Sequence, residues 1–426
     1  MYCHQCEQTP KGGCTKVGVC GKNEDIASLQ DTLIFGLKGI AAYDYHANEL
    51  GESDAEICGF YREALFSTLT NVDFDLNRFV ELNLKAGSMT YRAMELLDKA
   101  HTKRYGNPGP VEVFTGTAAG HGILVTGHDL LDLEELLKQT EGKGINVYTH
   151  GEMLPAHGYP GLRKYKHLVG NRGGSWFHQK KEFEEFSGAI LGTTNCVLIP
   201  KDSYKDRMFT CGIAGLEGVT HIKNRDFEPV IKKALELLPL EEEAGGTITT
   251  GFHHSNVLAL APKIIEAVKA GKIRRFFVVG GCDGPGKGGD YYSELTKIIP
   301  DDCVILTCAC GKYRHNSRDY GDIDGIPRFI DLGQCNNAYS AIRIAAALAE
   351  AFECDVNDLP LSIVLSWFEQ KAVAILLALL SLNVKGIRLG PTPPDFISPG
   401  VFKLLQDNFD LKLIGDPEED LKEMLK

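Results

Sequence analysis

The chain has 426 residues, 43% of them hydrophobic and 24% charged, which argues against a fibre or a disordered tract and gives more core than one compact domain usually holds. Its formal net charge of -12 repels nucleic acid and anionic membrane surfaces, so neither is expected as a partner. Thirteen cysteines are many for a reducing compartment, where structural disulfides are rare, and they point to metal or redox chemistry.

The first residues, Met1-Tyr2-Cys3-His4-Gln5-Cys6, contain no basic or apolar stretch. No secretory signal is therefore expected, and the chain reads as cytoplasmic. Cys3, Cys6, Cys14 and Cys20 form a CxxC followed by gaps of seven and five residues. Four thiolates close a tetrahedral site, and their softness favours iron–sulfur or zinc over magnesium or calcium. A zinc ribbon repeats a short spacing in both halves, whereas only the first pair is tight here, so iron–sulfur is favoured and a zinc-stabilised scaffold is the alternative. A thioredoxin-type CxxC would need a preceding strand, which is lacking.

Beyond the cysteines, Ile26, Leu29, Leu33, Leu37 and Ile40 recur at helical spacing and predict a helix over residues 23–50, ended by Gly51. Ser53-Asp54-Ala55-Glu56 has the form of a capping box opening a second helix to about residue 69. A third amphipathic stretch, 75–101, stops before Gly106-Asn107-Pro108-Gly109-Pro110, which reads as a linker. From Val111 onward short apolar runs alternate with helices: Ile123-Leu124-Val125, residues 145–148, 189–191 and 196–199, with a helix over 130–137. A second set begins near residue 224, with strand candidates at 275–279, 303–307, 328–332 and 386–389. The apolar segment 372–384 is shorter than the ~20 residues needed to cross a bilayer and reads as a buried helix. The expected fold is multidomain, α + α/β. Residues 1–107 form an Fe-S cysteine segment on a three-helix bundle, followed by two Rossmann-like α/β domains at 108–223 and 224–426.

Metal-binding residue types fall repeatedly just after strand candidates. His128 follows Ile123-Leu124-Val125, Glu152 follows the run at 145–148, and Cys282, Cys310 and Cys335 follow the runs at 275–279, 303–307 and 328–332. Ligands of open α/β sheets bind outside the carboxyl ends of the strands. Cys196 fits that address least well, because an apolar run also follows it. Each residue alone reads as a buried filler or a helix-cap acid. Together, soft thiolates with a harder imidazole and carboxylate make a mixed iron site with a position open to a small nitrogen or oxygen compound. Gly281-Cys282-Asp283-Gly284-Pro285-Gly286-Lys287-Gly288 nearly matches a phosphate loop, but it has no hydroxyl after Lys287 and Pro285 removes an amide donor, which argues against nucleotide binding.

The N-terminal cysteine arrangement, Thr149-His150-Gly151-Glu152-Met153-Leu154-Pro155-Ala156-His157, Thr194-Asn195-Cys196, Gly280-Gly281-Cys282-Asp283-Gly284 and Trp367-Phe368-Glu369-Gln370-Lys371-Ala372-Val373-Ala374 resemble the hybrid cluster proteins over nearly the whole chain. The resemblance implies a 4Fe-4S cluster on Cys3, Cys6, Cys14 and Cys20. It further implies a hybrid 4Fe-2O-2S cluster on His128, Glu152, Cys196, Cys282, Cys310, Cys335 and Glu369, with Cys282 as a persulfide. It implies a hydroxylamine reductase, or an enzyme reducing nitric oxide to nitrous oxide, fed by an electron-donor protein: a ferredoxin, a rubredoxin or an NADH-dependent reductase. The alternatives are a nitric oxide sensor or S-nitrosylating protein and a carbon monoxide dehydrogenase-like enzyme. Cleaving an N–O bond consumes protons, for which His150, His157 and Lys371 are candidates by proximity in sequence, while Glu369, an implied ligand, is a further catalytic candidate. Longer family members carry a further helical block between the bundle and the α/β part. Its omission here touches no implied ligand, and both monomer and homo-oligomer remain open.

Overall fold

The computed structural model describes residues 3–286, 288–367 and 369–426. The chain forms two compact units, a mid-chain unit of His101–Leu348 and a terminal unit of Met1–Ala100 with Ala349–Lys426.

In the mid-chain unit the described residues form a mixed eight-stranded sheet. Its strands are β1 (Val111–Phe114), β2 (His121–Thr126), β3 (Ile145–His150), β4 (Leu168–Asn171), β5 (Ala189–Gly192), β6 (Met208–Cys211), β7 (Thr220–Ile222) and β8 (Thr247–Thr250), in the order β7-β6-β5-β2-β3-β4-β1-β8. Neighbours pair in parallel except β8, which runs antiparallel to β1. Side chains alternate across the sheet as the strand period requires. Ile123, Val125, Val147 and Leu191 join a core with Leu133, Leu136 and Leu137 of the helix Leu130–Thr140 and with Val230, Ile231 and Ala234 of the helix Glu228–Glu236. Leu124, Tyr148 and Ile190 face the opposite core with Phe183, Phe186 and Tyr204. Successive strands run outward from β2 through β3 to β4, then return to β5 on the other side of β2. The carboxyl ends of β2 and β5 therefore flank a topological switch point, the address at which such sheets bind ligands.

The same unit carries β9 (Arg275–Gly281), β10 (Cys303–Thr307), a small hairpin of β11 (Asp322–Ile323) with β12 (Ile326–Pro327), and β13 (Phe329–Asp331). β10 lies between β9 and β13, and all three run parallel. Two expectations change here. The first sheet does not close at residue 223, because the helix Glu228–Glu236 covers it and β8 completes its edge against β1. Residues 196–199 form no strand, because Cys196 has a positive φ of 67°, which an extended ladder does not accommodate.

The terminal unit contains the helices Glu24–Glu49, Ala55–Ser67 and Gln370–Ser381, most of Leu76–Tyr105, and the parallel strands β14 (Leu361–Ser366), β15 (Arg388–Gly390) and β16 (Lys412–Leu413). The second helix is capped by Asp54, whose Oδ1 accepts from the amides of Glu56 at 2.8 Å and Ile57 at 3.4 Å, rather than by a Ser53 capping box. The N-terminal helices do not stand as a separate bundle, since the apolar helix Gln370–Ser381 lies directly against them. A Cβ on Gly39 would run into that of Ala374, and one on Gly87 would enter the backbone of Leu377. Compactness thus groups the two ends of the chain, unlike the expected boundary at 107. Gly87→Ala should destabilise the fold by roughly 1–3 kcal/mol through this overpacking. Urea unfolding checks it, and an unchanged midpoint would contradict the close approach. Among the described residues no helix is long and apolar enough to cross a membrane.

Candidate metal centre

The N-terminal cysteines occupy an irregular loop held by backbone hydrogen bonds. Cys3 and Cys14 exchange amide-to-carbonyl bonds of 3.2 and 3.0 Å, Gly13 N–H closes a turn on Pro10 O at 2.9 Å, and Gly18 N–H reaches Lys22 O at 2.7 Å. Lys22 Nζ lies 3.9 Å from Cys3 Sγ. Cys14 is buried, while Cys3, Cys6 and Cys20 are half-buried. Four thiols on one short loop suit a cubane, whose ligands each hold a different iron and need not converge on a point.

The strand ends of the mid-chain unit carry the second donor set. Gly127 (φ 113°) turns the chain at the end of β2, where a Cβ would collide with Thr193. The next residue, His128, donates its amide to Thr194 Oγ1 at 2.9 Å and holds the same hydroxyl with Nδ1 at 2.9 Å. That bond at the end of β5 orients the ring, and Nε2 stands 3.7 Å from Glu152 Oε2. Glu152 begins beyond β3 in the short 3-10 helix Gly151–Gly158. Its Oε2 accepts the amide of Cys335 at 2.8 Å, and Gln334 Nε2 donates to the carbonyls of Glu152 at 2.8 Å and His128 at 3.1 Å. One donor atom from each of His128, Glu152 and Cys335 lies within 4.8 Å of the other two, and all three residues are buried. Two strand ends of the first sheet and the end of β13 thus converge on one point.

Cys310 follows β10 and is buried. Burial, reinforced by the charges of Glu152, Cys196 and Cys282, drives its thiol well above the ordinary range. The four groups therefore share one electrostatic neighbourhood, and a thiol placed there becomes a thiolate only when a cation takes up the charge. Cys282 lies just beyond β9, and its neighbour Asp283 is anchored by Ser175 Oγ at 3.0 Å and Arg314 Nε at 2.7 Å. Cys196 sits in a loop, where Gln179 Nε2 donates to its carbonyl at 2.6 Å. The donor set of buried thiols, an oriented imidazole and a carboxylate fits an iron–sulfur centre of mixed hardness. In the same stretch Arg314 also donates to Gly284 O at 3.1 Å, and Lys287 of the phosphate-loop-like string lies outside the described residues.

The proton-donor candidates differ in setting. His150 is fully buried, with Nδ1 3.0 Å from Thr126 Oγ1 and Nε2 2.9 Å from Glu182 Oε2. Burial opposes the Glu182 charge, but the His150 hydrogen bond, the His150 charge and the Gly174 amide outweigh it and hold the carboxyl below its ordinary value. Glu182 lines a polar cavity of about 820 Å³ with Ser175, His178, Asp283, Tyr313 and Arg314. Burial pushes His157 down to about 4, so it is neutral at pH 7 and is replaced as a donor candidate by His150. Glu369 and Lys371 belong to the terminal unit. Glu369 is the N-cap of its helix and accepts the Lys371 amide at 3.2 Å. Lys371 is buried, and Phe368 of the same string lies outside the described residues.

Several participants were not read as site residues from the sequence. Gln334 ties two ligand-bearing turns together, and Thr194 orients His128. Cys308, whose thiol burial pushes up to about 12, and the pair Lys312–Asp331 lie beside the strand-end donors. Thr194 and Gln334 each sit within two residues of a strand-end cysteine, which is the one cue available for them. Glu182 lies in an ordinary charged helix and carries none.

Fold and site together define a multidomain α/β protein with mixed and parallel sheets and a buried cluster of potential metal ligands at converging strand ends. The chain belongs to the Prismane/CO dehydrogenase family, whose model matches residues 1–83 and 75–422. It is 70% identical to the hydroxylamine reductase of Moorella thermoacetica and 58% identical to that of Methanothermobacter thermautotrophicus, in each case over 426 residues and the full length of both chains. A longer hydroxylamine reductase, from Geobacter metallireducens, is 44% identical over 545 aligned positions that take in 100% of this chain and 99% of the relative. Among solved structures, carbon monoxide dehydrogenase IV from Carboxydothermus hydrogenoformans superposes with a TM-score of 0.78 at 16% identity, covering 100% of this chain and 91% of that one. At that identity the likeness speaks to the fold alone.

Proposed function

We propose that this chain is an iron–sulfur enzyme that reduces hydroxylamine to ammonia and water. The observation that carries the reading is the meeting of His128, Glu152 and Cys335 donors within 4.8 Å, in a donor set that also includes Cys310, Cys196 and Cys282. Relatives 58–70% identical over their full length are hydroxylamine reductases, which supports the same reaction. Cys3, Cys6, Cys14 and Cys20 would hold a 4Fe-4S cluster. His128, Glu152, Cys196, Cys282 as a persulfide, Cys310 and Cys335 would hold the hybrid 4Fe-2O-2S cluster, with Glu369 the seventh ligand that the resemblance implies. When bound, the clusters supply single electrons and an iron position open to the substrate.

The reaction takes two electrons and two protons for each N–O bond broken. His150, fixed between Thr126 and Glu182, holds a proton at Nε2 and communicates with the polar cavity through the Glu182 carboxylate. Tyr313 closes the same region by donating to Gly151 O at 2.7 Å. Glu182→Gln removes the carboxylate that holds the His150 ring in place at 2.9 Å. Turnover should fall roughly tenfold or more; unchanged turnover would remove His150 from this role. The electron-donor protein, a ferredoxin, rubredoxin or NADH-dependent reductase, meets the N-terminal cysteine loop. There Val17 and Val19 are exposed, and Thr70 reaches Gln5 O at 3.3 Å from a segment exposing Phe66 and Leu69.

Steady-state turnover of hydroxylamine with a reduced dye, with ammonia as the assayed product, tests the proposal. Wild type should turn over and Glu369→Ala should not. A fully iron-loaded protein without turnover would instead favour a nitric oxide sensor, and stoichiometric nickel would favour carbon monoxide chemistry.

A further inference from the structure

Lys312 is the feature of the mid-chain unit that the proposed reaction leaves unused. It lies in the 3-10 turn Cys310–Arg314 after β10, and its side chain has 0% exposure. Nζ donates to Asp331 Oδ1 at 2.8 Å and to Gly333 O at 2.7 Å. Asp331 is the last residue of β13, and its Oδ1 also accepts the Gly333 amide at 3.0 Å. Gly333 O in turn accepts the amide of Ala309 at 3.0 Å. The parallel ladder of β10 and β13 ends at Thr307 and Asp331, and these bonds continue it through the two turns that carry Cys310 and Cys335.

A neutral hydrogen-bonding side chain could make the same clip, and burying an ammonium is costly. The charge therefore calls for a purpose beyond holding two turns together. Asp331 is its direct counter-charge at 2.8 Å, and the field of the Glu152 carboxylate also reaches it. Glu152 is one of the converging donors, and Cys196, Cys282, Cys310 and Cys335 add negative charge to the same neighbourhood as thiolates. In a low-dielectric interior, a fixed cation beside such a centre favours its reduced, more negative state.

We infer that Lys312 is a positioning residue that clips the Cys310 turn to the Cys335 turn and, as a buried fixed charge, raises the reduction potential of the cluster bound there. The inference rests on the proposed iron centre. Lys312→Gln keeps a donor to Gly333 O and removes the charge, while Asp331→Asn keeps the lysine charge and removes its counter-charge. The two substitutions loosen the same clip but change the charge in opposite directions, so a purely structural role cannot give shifts of opposite sign.

The test is an EPR-monitored redox titration of anaerobically purified, iron-loaded wild type and both variants, with the N-terminal cluster as internal reference. Lys312→Gln should shift the redox equilibrium of the second cluster toward the oxidised form by about tenfold, about 59 mV for a one-electron couple. Asp331→Asn should shift it toward the reduced form, and the N-terminal cluster should stay unchanged in both. Should Lys312→Gln not fold, the sign of the Asp331→Asn shift decides alone. Shifts in the same direction, or none, overturn the inference. A wild type lacking any second iron centre overturns the proposed function instead, and the inference with it.

Discussion

Replacing Cys310 with serine should lower hydroxylamine turnover by at least about 100-fold while leaving the N-terminal cluster intact. Serine keeps the shape and removes the soft donor, and an alkoxide is a poor substitute for a thiolate on iron. Changes in residues that merely support metal ligands cost about 10–100-fold, so loss of a ligand should reach or exceed the upper end. Cys310 is buried, so bulk solvent has no direct route to replace the missing sulfur. The N-terminal cysteines lie in the other compact unit, and the spectrum of their cluster should persist. Iron counting, EPR and turnover on one sample separate these effects. Turnover within about threefold of wild type would remove Cys310 from the centre.

Acidification from pH 7 to 4 should cost the fold several kcal/mol through two buried histidines. Burial holds His157 at about 4 and, aided by repulsion from Arg318, Lys312 and Arg314, holds His315 at about 3. In the folded chain His157 stays neutral until the pH nears 4 and His315 until it nears 3, whereas in the unfolded chain each takes up a proton near pH 6.5. The unfolded state therefore binds more protons below that pH, and stability falls as pH drops toward the folded values. At about 1.4 kcal/mol per pH unit the loss approaches roughly 3 kcal/mol for each histidine by pH 4, against the roughly 5–15 kcal/mol that holds a typical domain folded. Urea midpoints at pH 7 and 4.5 measure it. His157→Asn keeps a polar partner for Thr149, which the imidazole holds at 3.0 Å, and should flatten the dependence. Equal slopes for variant and wild type would contradict the assignment.

The parts of this molecule that were legible in its sequence are those written in local pattern. Ile123-Leu124-Val125 and the run beginning at Ile145 are short, apolar and bounded by turn residues, and they lie in β2 and β3 with His128 and Glu152 just beyond them. Cys282, Cys310 and Cys335 follow the same rule at β9, β10 and β13. Cys196 broke it, because the apolar residues after it looked like a strand and nothing local announced the positive φ of its backbone. The union of the first helices with Gln370–Ser381 was equally hidden. It depends on Gly39 and Gly87 meeting residues some 300 positions away, and a glycine in a helix reads locally as a weak point rather than a contact. Lys312 and Asp331 each look like ordinary surface charges until β10 and β13 are laid side by side.

Anomalous diffraction at the iron edge from crystals of anaerobically purified, fully reconstituted protein tests the central claim most directly. The account predicts two separate iron peaks, one at Cys3, Cys6, Cys14 and Cys20 and one bonded to His128, Glu152 and Cys335 together with Cys196, Cys282 and Cys310. Iron at the N-terminal cysteines with none at the converging strand ends would contradict it.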